Sequence, residues 1–194
     1  MKALVSVYDK SGIGEFASTL QTAGVDIYST GGTYELLAKE LTTEVGKVSD
    51  LVGFSEILDG RVKTLHPKIY AGILNIRNNK NHKLDLIKNN LKEIDLVIVN
   101  FYPFEKVIKS NNFKKIFENI DIGGPSLVRA AAKNFDDVLV ITNPKNYIDV
   151  INEINKYQGS TSINFRKQMA INAFNEIANY DSIIANYVND KFNV

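Results

Sequence analysis

The chain has 194 residues, 44% hydrophobic and 23% charged, with a formal net charge of +1. Such a composition suits one good-sized globular domain, and the near-neutral balance excludes the global basic field that holds nucleic acid. With no cysteine and only His66 and His82, the chain has no disulfide framework, no thiolate nucleophile and no basis for a multi-histidine metal centre.

Residues 2–7 form an apolar run that reads as a buried strand emptying into the polar turn Tyr8-Asp9-Lys10-Ser11-Gly12. This run is too short for a signal peptide, and no run approaches the ~20 apolar residues that span a bilayer. The chain therefore reads as cytosolic, with no membrane partner. Ile13, Phe16, Ala17 and Leu20 recur at helical spacing up to a glycine stop at Gly24. A second strand is predicted over 25–29, broken by Thr30-Gly31-Gly32-Thr33. Thr33 then caps a predicted helix over 34–41, with Leu36 and Leu37 facing inward. A weaker strand is predicted at 44–48, followed by a long polar connection over 49–60 without strong periodicity.

Leu96-Val97-Ile98-Val99 reads as the central strand and residues 138–142 as another, with a helix over 125–133 between them. From Ile163 onward one or two helices carry an apolar stripe of Phe165, Met169, Ala173, Phe174, Ile177 and Ala178. Strands alternating with helices imply an α/β fold with a mostly parallel sheet covered on both faces. Ligands in such sheets sit beyond the carboxyl ends of the strands. Those ends carry Ser6, Lys10, the 30–33 segment, Asn100, Tyr102 and Thr142.

Several segments there have a chemical and a plainer reading. Thr30-Gly31-Gly32-Thr33 suits a phosphate cradle, since glycine exposes backbone N–H groups and a helix start adds positive potential; it equally suits a tight turn. It matches neither G-x-G-x-x-G nor a Walker loop. Lys10 either reaches a phosphate or stands exposed beside a cap. Arg61-Val62-Lys63-Thr64 places two cations and a hydroxyl together on a long loop, or is a solvated basic turn. His66 reads as a structural hydrogen-bonding residue. Tyr102, Asp121 and Lys133 are each ordinary taken singly, and informative as a group gathered at one edge of the predicted sheet.

In order and spacing, Arg61-Val-Lys-Thr-Leu-His-Pro67, Asn100-Phe-Tyr-Pro-Phe104, Asp121-Ile-Gly-Gly124 and Arg129-Ala-Ala-Ala-Lys-Asn134 resemble the inosine monophosphate (IMP) cyclohydrolase family. The resemblance covers essentially the whole chain, from Ser6 to Asp181. It implies a three-layer α/β/α fold like that of methylglyoxal synthase. The expected organisation is one domain over 1–194, with an α/β core to about 157 and a helical segment over 163–190. It implies closure of 5-formamidoimidazole-4-carboxamide ribotide to IMP with loss of water, the last step of de novo purine synthesis, without metal or organic cofactor. It also implies a homodimer and a covalently linked formyltransferase domain, which these residues do not include.

Carried over by residue, Ser6, Lys10, Thr30, Gly31, Gly32 and Thr33 hold the nucleotide phosphate and its surroundings. Arg61, Thr64, Asn100, Phe101, Ile122 and Gly123 line the remainder, and Lys63, Tyr102, Asp121 and Lys133 are catalytic. Asp121 and Lys133 then move protons, while Lys63 and Tyr102 stabilise the oxyanion on the formyl oxygen. Tyr8 and Thr30 stand where serine is frequent, which leaves position 8 only a backbone contact. Two rivals remain: a methylglyoxal-synthase-like phosphate lyase, and a regulatory nucleotide-binding module with no use for the catalytic set.

Overall fold

The computed structural model describes residues 1–109 and 112–192, so the expected domain end at Val194 lies outside the described residues. In chain order the elements are β1 (Lys2–Val7), α1 (Ile13–Thr22), β2 (Asp26–Ser29), α2 (Gly31–Glu40), β3 (Gly46–Lys47) and α3 (Val48–Val52). They continue with α4 (Pro67–Leu74), α5 (Lys80–Lys88), β4 (Leu96–Asn100), α6 (Phe104–Val107), α7 (Phe113–Glu118) and α8 (Gly123–Lys133). The last are β5 (Leu139–Ile141), α9 (Tyr147–Lys156) and α10 (Ile163–Phe192).

The strands form one parallel sheet in the order β3-β2-β1-β4-β5. From β1 the chain winds outward through β2 to β3, then returns to β4 and winds the other way. The sheet's switch point therefore lies between the carboxyl ends of β1 and β4, where Val7 is in register with Asn100.

Alternate strand residues feed two cores, because successive side chains point to opposite faces. Ala3, Val5, Ile27, Ile98 and Ile141 pack with Ile13, Phe16, Leu20 and Leu37 of α1 and α2 and with Val150 and Ile154 of α9. On the other face Leu4, Val97, Val99 and Val140 meet Ile69 and Ile73 of α4, Leu127 and Ala131 of α8, and Ala173 and Ile177 of α10. Both faces of the central strands are dry, which is why they read as continuous apolar runs rather than as alternating ones.

Four expectations need correcting. Helix α2 begins at Gly31 with Thr30 as its N-cap residue, so Thr33 lies inside the helix and is not its cap. Helix α8 likewise takes in Gly123 and Gly124. The connection after β3 contains the five-residue α3, too short to show a period in sequence. On α10 the buried stripe runs through Met169, Ala170, Ala173, Ile177 and Tyr180, while Phe174 is exposed. No described helix is long and apolar enough to cross a membrane.

Candidate active site

Beyond the switch point lies a cavity of about 630 Å³. Its walls are the end of β1 (Ser6 to Lys10), the start of α2, residues 59–65, the end of β4 with Tyr102, and the segment 117–124 leading into α8. Ser6, Lys10, Thr30, Gly32, Thr33, Arg61, Lys63, Thr64, Asn100, Tyr102, Asp121, Ile122 and Gly123 all line it. Residues separated by more than a hundred positions converge because strand ends and helix starts gather on one side of the sheet, where the connection between α3 and α4 adds Arg61, Lys63 and Thr64.

At one end, α2 starts without any side-chain cap, so its first N–H groups face outward unpaired by Thr30. Gly31 adopts φ +53°, and a Cβ there would lie 3.5 Å from Lys63 Nζ; at Gly32 a Cβ would lie 4.0 Å from Lys10 Nζ. Two ammonium groups thus flank an open helix start, an arrangement that attracts an anion. The threonine hydroxyls do not share in this. Thr33 Oγ1 accepts from Val7 N–H at 3.1 Å and donates to Val7 O at 3.0 Å, while Thr30 Oγ1 donates to Glu56 Oε1 at 2.7 Å. Thr33 offers an anion only its backbone.

Asn100 is also a builder. Its Oδ1 accepts from the N–H groups of Tyr8 and Asp9, both at 2.8 Å, and its Nδ2 donates to Asp9 O at 3.0 Å. These bonds set the turn that carries Lys10, and they occupy the Tyr8 N–H. The Tyr8 ring stands edge-on to Tyr102, with centroids 4.3 Å apart.

At the other end, Asp121 Oδ1 accepts from Gly124 N–H at 2.9 Å. Burial pushes the Asp121 carboxyl above its ordinary pKa, opposed by the Gly124 N–H, by the nearby Lys63 ammonium and by the Gly123 N–H. A side chain on either glycine of this segment would displace a neighbouring site residue. A Cβ at Gly123 would come within 2.9 Å of Thr64 Oγ1, and one at Gly124 would collide with Asp121. Thr64 is 4% exposed, so it packs the cavity floor.

Arg61 lies at the rim, its Nε 3.2 Å from Glu118 Oε1 in an exposed pair. Phe101 is not on this wall; its ring lies behind Gly124 and faces Tyr180 at 5.2 Å. His66 caps α4, its Nδ1 accepting from Lys68 N–H, in line with its structural reading.

Lys133, expected to be catalytic, is not brought to the cavity either. Asp121 precedes α8 and Lys133 ends it, so ten residues of helix rise put the two ends roughly 15 Å apart. Lys133 is exposed in the last turn, where its charge favours the helix dipole. Sequence reasoning also missed Glu56, on a loop without a period, Glu118, at the end of the six-residue α7, and the hydroxyl of Tyr180, which accepts from Asp121 N–H at 2.8 Å.

A second cavity, of about 780 Å³, shares Tyr8, Lys10, Asn100 and Tyr102 with the first and extends toward Thr142, Lys145 and α10. It contains neither Asp121 nor Lys63, so the titratable set belongs to the first. Among the described residues no cluster of metal-ligating side chains occurs.

Comparison with known proteins agrees with this architecture. Residues 12–126 match the sequence model of the MGS-like domain, and residues 131–193 match that of the AICARFT/IMPCHase bienzyme. The chain is 51% identical over 195 residues to the bifunctional purine biosynthesis protein PurH of Thermoanaerobacter sp. (strain X514), covering 100% of this chain and 38% of that protein. The PurH protein of Persephonella marina is 46% identical over 194 residues, covering 100% of this chain and 37% of its own length. The chain thus spans well under half of these relatives. A crystal structure of ForH superposes with a TM-score of 0.82 at 32% identity, covering 97% of this chain and 98% of that one. The chain belongs to the MGS-like domain family.

Proposed function

We propose that the protein is an IMP cyclohydrolase, closing 5-formamidoimidazole-4-carboxamide ribotide to IMP with release of water. The observation that carries this reading is the pairing, in one cavity, of an uncapped helix start flanked by Lys10 and Lys63 with a buried carboxyl at Asp121. The match of residues 131–193 to the bienzyme family supports it over a phosphate lyase, as does 51% identity to a PurH protein.

The substrate phosphate sits on the N–H groups of Gly31, Gly32 and Thr33 with Lys10 beside it. The ring lies toward Asp121, between Thr64 and Tyr102. Anchoring both ends presses the carboxamide nitrogen against the formyl carbon, and positioning of this kind is a large effect for an intramolecular reaction. As the C–N bond forms, ionised Asp121 takes the amide proton. Lys63 and Tyr102 donate to the formyl oxygen as it gains charge. The proton held by Asp121 returns to make that oxygen a hydroxyl; a second proton, lost by the former formamide N–H, lets it leave as water as the C=N bond of the closed ring forms. An Asp pKa raised by burial suits the task, because a base works best when its pKa lies near the working pH.

Lys133 takes no step within one chain. The homodimer expected from the resemblance is the arrangement that would give it one, by presenting it to the cavity of a second copy. The linked formyltransferase domain of the relatives would supply the formylated substrate.

The test is incubation of the protein with the formylated ribotide without added metal, following IMP absorbance. Turnover is expected. Tight nucleotide binding without turnover would instead indicate a regulatory module.

A further inference from the structure

Asp121 lies on a short connection between α7 and α8, in a segment with little regular structure of its own. A carboxyl that moves protons must nevertheless be held to within a fraction of an ångström. One tie is local: Asp121 Oδ1 accepts from Gly124 N–H. The other comes from 59 residues away. The hydroxyl of Tyr180, on α10, accepts from Asp121 N–H at 2.8 Å. Tyr180 is 6% exposed, and its ring packs against Phe101 at 5.2 Å and Phe104 at 6.4 Å. The next residue, Asp181, pairs with Arg129 of α8. Consecutive residues of α10 therefore hold the segment before α8 and the body of α8 itself.

We infer that Tyr180 is a positioning residue for the reaction, its hydroxyl fixing the backbone of Asp121 so that the carboxyl is aimed into the cavity. The C-terminal helix is then part of the catalytic apparatus, although it places no side chain against the substrate. This inference rests on the reading of Asp121 as the proton-transfer group. The titratable or charged groups facing Asp121 are Lys63, Tyr70 and Tyr180. If the segment loosens, its carboxyl gains water and its raised pKa falls toward the ordinary value.

Tyr180→Phe isolates the hydroxyl, because it keeps the ring and its packing. In the full chain the expected result is a kcat lowered about 10- to 100-fold with KM within about twofold, as for misplacement of a reacting group. The acid limb of the kcat–pH profile should also move to lower pH, which a loss of folded protein alone would not produce. Asp181→Asn, which breaks the exposed neighbouring tie, should leave both kcat and that limb unchanged. An unchanged kcat and limb in Tyr180→Phe would overturn the inference, as would an equal effect from Asp181→Asn. If Tyr180→Phe does not fold, hydrogen exchange at the Asp121 amide of the wild-type protein decides: protection well above that of Ser55 or Leu58 supports the tie, and comparable exchange overturns it. Absence of IMP formation by the wild type would overturn the cyclohydrolase reading together with this inference.

Discussion

A single hydroxyl joins α2 to β1: Thr33 Oγ1 both accepts from Val7 N–H at 3.1 Å and donates to Val7 O at 3.0 Å. Thr33 is 4% exposed, so neither backbone group can turn to water when the hydroxyl is lost. Thr33→Val keeps the shape and removes both bonds. It should cost about 1–3 kcal/mol in urea unfolding and weaken IMP binding, because the helix start would no longer be pinned beside the strand end.

Lys10 supplies charge beside that helix start without touching the ring-closing end of the cavity. Lys10→Ala should raise the Kd for IMP by roughly 10- to 100-fold, the range expected for losing a charge-assisted bond to phosphate, and leave kcat within a few-fold. Titration calorimetry reads the first and saturating turnover the second. An unchanged Kd would remove Lys10 from the phosphate site.

Glu118 holds Arg61 at the rim in a pair that is 68% and 59% exposed at its two side chains. An exposed pair of this sort is worth at most about 1 kcal/mol, so an incoming phosphate can take Arg61 from it. Glu118→Gln should tighten nucleotide binding up to about fivefold and steepen its dependence on ionic strength. Weaker binding in this variant would mean that Glu118 holds Arg61 in its productive position.

Asp121 also has a cost in stability. Its carboxyl pKa is raised in the folded chain by burial, so between the ordinary carboxylate value and that raised value the native state binds more protons than the unfolded chain. Stability therefore falls as pH rises through this window, and the full penalty is present above it. Asp121→Asn can still accept from Gly124 N–H but is never charged. It should unfold at a temperature about 1–4 °C above wild type at pH 7, with the difference vanishing in acid. A lower melting temperature at both pH values would show that the ionised carboxylate stabilises the fold.

The strands were legible because they are buried on both faces: Leu96 to Val99 and Val138 to Ile141 are unbroken apolar runs. The gathering of Lys10 and Tyr102 was legible too, since a parallel sheet sends its strand ends to one side; Lys63 and Asp121 reach the same cavity from the connections before α4 and α8. The start of α2 was not, because a side-chain cap is the usual sequence signal and this helix has none. The distance of Lys133 from the cavity of its own chain was not legible, because its motif lies close in sequence to Asp121 while an eleven-residue helix separates them. The Tyr180 hydroxyl and the two rim carboxylates act across long sequence separations, where no spacing rule reports a contact.

The most direct test of the central claim is the pH dependence of IMP formation by the wild type and by Asp121→Asn. Wild-type kcat should fall as pH drops through an apparent pKa above the ordinary carboxylate range, in keeping with the buried carboxyl. The variant should lose roughly 10²- to 10⁴-fold in kcat, keep its KM within about threefold, and show no such limb. A variant that turns over at close to the wild-type rate, with the acid limb intact, would contradict the assignment of Asp121 as the base.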